Sequence, residues 1–220
     1  MTGIRITTLP VGPLQCNCTI LMDEISKSAV VIDPGDEADR ILEELKRMDA
    51  KPIALLHTHA HFDHIGGSSD VARATKAALR LHEADRLLWE MLPQQASLFG
   101  IAMPGPLPID APIADGERIL FGAGKLRAIH TPGHTPGSTC FLLESDDLAS
   151  EDRILFSGDT LFRRSIGRTD LWGGDADQIA ASIRGRLYTL PPETRVVCGH
   201  GEDTSVGEER RDNPFVRAGE

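Results

Sequence analysis

The feature that most constrains this chain is a cluster of metal-binding side chains directly behind an apolar run. Residues 57–64 hold four imidazoles and one carboxylate: His57, His59, His61, Asp63 and His64. Neutral imidazole is the commonest protein ligand of zinc and related ions, and carboxylate suits the same metals. A polar loop whose histidines bond only to backbone or water is the alternative, and the density of donors disfavours it. The cluster therefore predicts a metal site.

The spacing of these donors favours two neighbouring metals over one. If residues 52–56 form a buried strand, the chain leaves it extended, and the alternate residues His59, His61 and Asp63 project to one side. His64 then falls out of phase with them. A donor set that points in two directions suits a pair of metals.

Three later strands are each expected to present one further donor at a sharp turn. His134 is bracketed by two Pro-Gly pairs, Asp159 follows a strand at residues 153–156, and His200 stands between two glycines. The full donor inventory is His59, His61, Asp63, His64, His134, Asp159 and His200. Asp159 is the natural bridge, because two cations about 3.5–4 Å apart repel each other unless an anion lies between them.

Length and composition predict a single globular domain over residues 1–220, since no Ser/Gly-rich or like-charge linker divides the chain. The net charge of −10 argues against a nucleic-acid or anionic-membrane partner. No segment approaches the length of a membrane span, and the expected location is the cytoplasm. The cysteines form no zinc-ribbon pattern and are expected to be reduced and structural: Cys16, Cys18, Cys140 and Cys198.

Turn residues divide the chain into strands and helices. Strands are expected at residues 4–9, 18–22, 28–32, 52–56, 79–82, 119–121, 125–129, 139–143, 153–156 and 195–198. Helices are expected at 36–48 (N-cap Asp36), 68–78 (N-cap Ser68), 83–92 (Leu87, Leu88 and Met91 inward), 175–187 (cap Asp175 and Gln178) and behind a cap of Ser205 and Glu208. An acidic surface loop should join residues 143 and 153. His57 and His130 are expected to be structural.

Three features each allow two interpretations. Asp33, at the end of a buried strand, is either a turn former or a carboxylate that holds the histidine loop. The proline-rich residues 93–112 either cover a pocket or form a packed connector. The arginines Arg163, Arg164 and Arg168 either form a basic patch for an anionic substrate group or pair with surface carboxylates.

The donor motifs carry a family resemblance. Thr58-His59-Ala60-His61-Phe62-Asp63-His64, followed by His134, Asp159 and His200, resembles the metallo-β-lactamase fold superfamily. Within it, Ser157-Gly158-Asp159-Thr160-Leu161-Phe162 and Gly167-Arg168-Thr169-Asp170 resemble the glyoxalase II-like (hydroxyacylglutathione hydrolase-like) enzymes of the short bacterial type, which lack a C-terminal helical domain. The resemblance implies an α/β fold, a four-layer αββα sandwich of two mixed β-sheets flanked by helices.

The same resemblance implies a binuclear metallohydrolase. One metal would be held by His59, His61, His134 and Asp159, and the other by Asp63, His64, Asp159 and His200. Asp33 would brace the loop. A metal-bridging hydroxide would attack a thioester such as S-D-lactoylglutathione, with Asp63 orienting it and receiving its proton. The implied cofactors are two divalent ions, zinc foremost, with iron or manganese as alternatives.

Departures from the family pattern bear on the substrate. At two positions where longer glyoxalase II enzymes bind glutathione, this chain has Arg168 and Asp170, and Glu202 lies near a third such position. These departures leave recognition of glutathione open, and the expected substrate is a small anionic thioester or related ester, either linked to glutathione or not. An aspartate at position 159, where β-lactamase members typically carry a cysteine or differ in sequence context, argues against antibiotic hydrolysis as the main activity.

Two other functional classes compete with the hydrolase. The persulfide dioxygenases, which bind one iron, also resemble this chain, through the histidine cluster, residues 131–137 and residues 167–170. A metal-carrying module without chemistry of its own is a weaker alternative, because the donor set is complete.

Overall fold

The computed structural model describes residues 3–144 and 153–217. These residues divide into two compact units, the first made of Gly3–Ile113 and Leu120–Gly124, and the second of Ala114–Ile119 and the described residues from Lys125 onward. The single-domain organisation stays a prediction. The expected acidic loop falls on residues 145–152 and lies outside the described residues.

A six-stranded mixed sheet organises the first unit. Its strands, in spatial order, are β1 (Ile4–Val11), β2 (Cys16–Asp23), β3 (Ser28–Ile32), β4 (Lys51–Leu56), β5 (Ala78–His82) and β6 (Ala111–Ile113). The first three strands are antiparallel, as predicted, and β3 to β6 are parallel. The intervening helices are α1 (Ala38–Met48), α2 (Phe62–Ile65), α3 (Ser68–Thr75), a 3-10 turn (Glu83–Asp85), α4 (Arg86–Glu90) and α5 (Leu92–Ser97).

A second six-stranded sheet has the spatial order β7, β8, β9, β10, β13, β14. Its strands are β7 (Arg118–Phe121), β8 (Gly124–His130), β9 (Thr139–Glu144), β10 (Ile154–Gly158), β13 (Arg195–Cys198) and β14 (Thr204–Ser205). A small hairpin of β11 (Leu161–Phe162) and β12 (Ser165–Ile166), helix α6 (Ala176–Ser182) with a π-helical turn (Ile183–Leu187), and helix α7 (Val206–Asp212) complete the elements. The α/β class with two mixed sheets and helices is confirmed.

Apolar faces at helical and strand spacing build a core in each unit. In the first, Ile41 and Leu45 of α1 pack with Leu55 of β4. In the second, Ile179 and Ile183, four residues apart, pack with strand residues such as Val196. Each fully buried side chain of this size contributes about 1.5–3 kcal/mol, so these faces stabilise the packing within each unit.

Two predicted helix caps are confirmed and two are wrong. Asp175 accepts hydrogen bonds from the backbone N–H groups of residues 177 and 178, both at 2.9 Å, and Ser205 accepts one from residue 208 at 3.2 Å. Asp36 does not cap α1, because Glu37 intervenes in a left-handed conformation without a capping side chain. Ser68 is the first residue of α3 rather than its cap, and its hydroxyl bonds to His57.

The expected helix at residues 83–92 is replaced by a 3-10 turn and two short helices. Leu88 and Trp89 form the buried face of the short helix α4, while Leu87, expected to face inward, lies on its other side and is 66% exposed. Among the described residues, no helix combines the length and apolarity needed to span a membrane.

Candidate metal centre

The first donor group follows β4, where the sheet delivers residues 57–61 without regular structure. His59 and His61 lie in this extended stretch, with their ring centroids 4.8 Å apart. The expected extended alternation does not reach Asp63, which lies with His64 in the single helical turn α2. His61 precedes that turn, and its carbonyl accepts the N–H of His64 at 3.0 Å. The helical turn therefore places Asp63 and His64 next to each other, outside the extended stretch that carries His59 and His61.

The side chains of this group converge although their backbones differ. Potential ligand atoms of His59 lie within 4.8 Å of those of His61 and of His64. Asp63 Oδ2 lies 3.7 Å from His64 Nε2, beyond hydrogen-bond distance. The three histidines are buried and Asp63 is partly buried. Four of the predicted donors therefore converge within the first unit.

His57 does not belong to this donor group. Its Nδ1 lies 2.9 Å from the carbonyl oxygen of Arg80, and its Nε2 lies 2.8 Å from the Ser68 hydroxyl. Complete burial lowers the pKa of His57 to about 4, which keeps the imidazole neutral. Both ring nitrogens are engaged within the protein, as expected of a structural histidine.

Asp33 connects the histidine loop to the end of β3. Its Oδ1 accepts the backbone N–H of Thr58 at 2.7 Å, and its Oδ2 accepts the Thr58 hydroxyl at 2.6 Å. His64 Nδ1 lies 3.0 Å from the same Oδ2, and His59 Nδ1 lies 3.0 Å from the Thr58 hydroxyl oxygen. Asp33 also turns the chain with a φ of 49°. Asp33 is therefore both a turn former and a carboxylate that holds the histidine loop.

Two residues that sequence reasoning missed hold the backbone of the loop. Asp85 Oδ2 accepts the N–H of Ala60 at 3.0 Å. Gln95 donates to the carbonyl of Ala60 at 2.9 Å and accepts the N–H of Phe62 at 3.2 Å. Both side chains are buried. Neither lies in a pattern that a local sequence window could detect.

The turn at Pro34-Gly35 packs against α2 at a distance that only glycine allows. A Cβ on Gly35 would lie 1.7 Å from the carbonyl oxygen of Asp63. The N–H of Gly67 donates to the carbonyls of Pro34 and Gly35, both at 3.0 Å. The strand end that carries Asp33 and the helical turn that carries Asp63 are thus held together.

The second donor group begins with His134, between β8 and β9. The buried ring directs Nδ1 at the carbonyl oxygen of Arg168, 2.7 Å away. Gly133 precedes it with a φ of 136°, and a Cβ there would lie 2.2 Å from the nitrogen of Ile179. His130, by contrast, places Nε2 2.8 Å from the carbonyl oxygen of Pro136, as expected of a structural residue.

Asp159 lies between two histidines of the second unit. Its Oδ2 is 3.6 Å from His134 Nε2, and its Oδ1 is 3.7 Å from His200 Nε2. These separations exceed hydrogen-bond distance. They agree with the roughly 3–3.7 Å between two ligand atoms that each lie about 2.0–2.2 Å from one ion. Each carboxylate oxygen therefore faces a different imidazole nitrogen.

Glycines leave room for this carboxylate. A Cβ on Gly199 would lie 2.1 Å from Asp159 Oδ1, and one on Gly167 would lie 1.9 Å from the carbonyl oxygen of Asp159. The Gly199-His200-Gly201 segment and the Gly167-Arg168 segment are therefore shaped around Asp159.

Each arginine of the predicted basic patch is paired with a carboxylate. Arg168 makes two bonds to Asp170, at 2.7 and 2.8 Å, and these bonds lower the pKa of Asp170 to about 2. Arg164 lies 3.3 Å from Asp212, and Arg163 pairs with Glu202. All three guanidinium groups are exposed. The carboxylate-pairing interpretation describes this structure, while the backbone carbonyl of Arg168 has the unforeseen role of orienting His134.

Comparison with known proteins agrees with the family resemblance of the donor motifs and extends it over nearly the whole chain. The profile described as metallo-beta-lactamase superfamily matches residues 11–200. Hydroxyacylglutathione hydrolase GloC of Haemophilus influenzae is 35% identical, over 98% of this chain and 99% of the relative.

Solved structures agree with the sequence relatives. The BLEG-1 B3 metallo-beta-lactamase is 38% identical with a TM-score of 0.86, over 96% of this chain and 99% of that chain. TTHA1623 in a di-iron-bound form is 41% identical with a TM-score of 0.83, over 96% and 100%. ETHE1 from Myxococcus xanthus is 29% identical with a TM-score of 0.77, over 96% and 83%. The predicted fold is confirmed, and the chain belongs to the metallo-beta-lactamase superfamily.

Proposed function

We propose that this chain is a metal-dependent hydrolase that cleaves a thioester resembling S-D-lactoylglutathione, or a related ester, with two divalent ions. The observation that carries the proposal is Asp159, whose two carboxylate oxygens face His134 and His200 separately, at 3.6 and 3.7 Å. A carboxylate with this orientation suits a ligand shared by two cations. The proposed ligands of one ion are His59, His61, His134 and Asp159, and those of the other are Asp63, His64, Asp159 and His200.

The chemistry of the donors fits divalent metals. His59, His64 and His134 each direct Nδ1 at an oxygen acceptor of the protein, at 3.0, 3.0 and 2.7 Å. Assigned from this network, the neutral tautomers carry the hydrogen on Nδ1 and a lone pair on Nε2. Zinc, iron and manganese all accept such donors, and the di-iron form of TTHA1623 supports iron beside zinc.

Divalent ions, when bound here, supply a nucleophile by ionising water near neutral pH and polarise the substrate carbonyl. Side chains of the protein orient the reacting groups and accept the proton. Asp63 is partly accessible, with 15% of its side chain exposed, so its carboxylate can orient the attacking water and receive its proton. Asp33 and Thr58 fix the imidazoles of His59 and His64, so these rings need not reorient during turnover.

The relative named hydroxyacylglutathione hydrolase supports a thioester substrate. The proposed contacts for its anionic group are Arg163, Arg164 and Arg168. Their ion pairs with Glu202, Asp212 and Asp170 are exposed and screened by solvent, so a substrate carboxylate can replace the acidic partner. We further propose a cytoplasmic enzyme whose partner is a small molecule rather than nucleic acid or membrane.

Elemental analysis of the purified protein, run beside a panel of thioesters, tests this proposal. We expect close to two metal ions per chain and release of free thiol. Asp159→Asn should lower metal content and thioester turnover together, whereas Asp70→Asn, on the exposed face of α3, should change neither. Normal turnover by Asp159→Asn would refute the shared-ligand scheme.

A mononuclear-iron persulfide dioxygenase is the second candidate. Residues 131–137 and 167–170 resemble those enzymes, and the likeness to ETHE1 from Myxococcus xanthus is consistent with it. Oxygen consumption with glutathione persulfide, with one iron per chain and no thioester cleavage, would favour it.

Because of the likeness to BLEG-1, the panel should include a β-lactam, on which we expect little activity.

A further inference from the structure

A cavity of about 330 Å³ opens in the first unit beside Asp63, and its lining is mainly apolar. The loop between β1 and β2 contributes Leu14, α2 contributes Phe62, and the proline-rich segment contributes Phe99 and Met103. The rings of Phe62 and Phe99 are 4.6 Å apart. The proline-rich segment, which allowed two interpretations from sequence, therefore lines a pocket and also packs against the core of the first unit.

Two of these apolar side chains are unusually exposed. Leu14 is 45% exposed and Phe99 is 58% exposed, while Phe62 is buried at 6%. Large apolar side chains at the open side of a concave surface mark a place where a ligand removes them from water. The cavity volume lies at the lower end of the range of about 300–1,000 Å³ for small-molecule sites.

The charges at this cavity select what can enter it. Asp36 and Asp63 are among its lining residues, and no lysine, arginine or histidine lines it in the part of the chain that the structure describes. A carboxylate or phosphate would therefore be repelled, while an uncharged apolar group would be accepted. The thiol half of a thioester such as S-D-lactoylglutathione carries carboxylates, so the acyl half is the part that fits.

We propose that this cavity binds the acyl chain of the substrate, and that the preferred substrates are thioesters or esters of uncharged, apolar acyl groups of several carbons. The inference rests on the proposed hydrolase function. Asp63 both lines the cavity and belongs to the first donor group, so an acyl chain in the cavity would extend from a carbonyl bound beside that group. In the reaction, water oxygen bonds to the acyl carbon, the C–S bond breaks, and the thiol leaves with a proton.

A series of straight-chain acyl thioesters of N-acetylcysteamine tests the proposal with an uncharged, constant thiol. Each methylene that enters the cavity should raise kcat/KM about threefold to fourfold, mainly through KM, until the cavity is full. Phe99→Ala and Leu14→Ala should flatten this dependence. Leu98→Ala removes a neighbouring side chain that is 70% exposed and outside the lining, and should leave the dependence intact. No dependence on acyl length in the wild-type protein would overturn the proposal.

A substrate whose acyl chain ends in a charged group provides a second test of the proposal. A six-carbon acyl group that ends in a carboxylate should be hydrolysed at least about tenfold less efficiently than hexanoyl, and Asp36→Asn should narrow that ratio. Equal efficiency for the two acyl groups would overturn the proposal. Length dependence in the thiol half rather than the acyl half would assign the cavity to the leaving group and would overturn it as well.

A binding measurement separates this inference from the proposed function. The neutral fluorophore N-phenyl-1-naphthylamine should bind the wild-type protein, should bind Phe99→Ala more weakly, and should be displaced by straight-chain amides in order of length. If the metal-loaded protein hydrolyses no thioester while this displacement holds, the proposed function fails, and the cavity stands only as a binding site for uncharged alkyl chains. Absence of both would refute the cavity assignment.

Discussion

Asp33 and His64 form a buried pair, with Asp33 Oδ2 3.0 Å from His64 Nδ1. The pair fixes both the orientation of the imidazole and its tautomer, so that Nε2 presents its lone pair. The same carboxylate oxygen accepts the hydroxyl of Thr58, whose oxygen lies 3.0 Å from His59 Nδ1. One carboxylate therefore orients two proposed ligands of different metals.

Asp33→Ala should weaken metal binding about 10–100-fold, because His64 loses its acceptor and the Thr58 hydroxyl that orients His59 loses the carboxylate that holds it. Competition with a chelator of known affinity measures the change. Asp70→Ala, which removes an exposed carboxylate paired with Arg73, is the matched control and should bind metal as the wild type does. Unchanged metal affinity in a folded Asp33→Ala protein would contradict the bracing role.

Gly35→Ala should destabilise the protein by about 3 kcal/mol and shift Asp63. The added Cβ would lie 1.7 Å from the Asp63 carbonyl oxygen, so the backbone of α2 must move. For a chain of this size, the melting temperature should fall by about 6–12 °C. Gly105→Ala, with no atom within 4 Å of the new Cβ, makes the same substitution in open space. A similar melting temperature for both variants would show that this close approach does not determine stability.

Gln95→Leu should destabilise the histidine loop. The substitution leaves the carbonyl of Ala60 and the N–H of Phe62 without their partner in a buried place. An unsatisfied buried group costs about 1–3 kcal/mol, so the free energy of unfolding should fall by at least that amount. Denaturant unfolding measures it. Gln94→Leu changes an exposed neighbour and should have little effect; equal losses in the two variants would exclude the bracing contacts as the cause.

The sequence predicted the donors that follow strands, because strand ends carry local signals. β10 ends at Gly158, directly before Asp159, and β13 ends at Cys198, two residues before His200. Apolar runs followed by glycine or proline are confined to a few neighbouring residues, so a short window contains the whole signal.

Contacts between distant residues could not be predicted in this way. Gln95 reaches Ala60 across 35 residues, and Asp85 reaches it across 25. Local periodicity carries no information on such pairs. The helical turn that contains Asp63 could not be predicted for a related reason, since α2 has only four residues and is shorter than one window of helical periodicity. The pairing of Arg163 with Glu202 likewise depends on where β11 and β13 end, which only the fold determines.

Tyr188, the only tyrosine of the chain, should report on stability at high pH. Its side chain is buried, and its hydroxyl lies 3.0 Å from the carbonyl oxygens of Glu209 and Val216. Burial, assisted by the negative charge of Glu209, raises the pKa of Tyr188 to about 12. The folded protein therefore favours the protonated phenol more than the unfolded chain does.

The sign of the effect follows from proton binding. An unfolded tyrosine loses its proton near pH 10, so the contribution of Tyr188 to the free energy of unfolding is complete below about pH 10. It should decrease from about pH 10 to about pH 12, where the unfolded chain binds fewer protons than the folded one. Tyrosinate absorbance, followed beside circular dichroism, should rise only above pH 10. Tyr188→Phe should remove this share of the pH dependence and lower stability by about 1–3 kcal/mol at neutral pH. Tyrosinate that forms near pH 10 in a protein that is still folded would contradict the buried, hydrogen-bonded placement of the phenol.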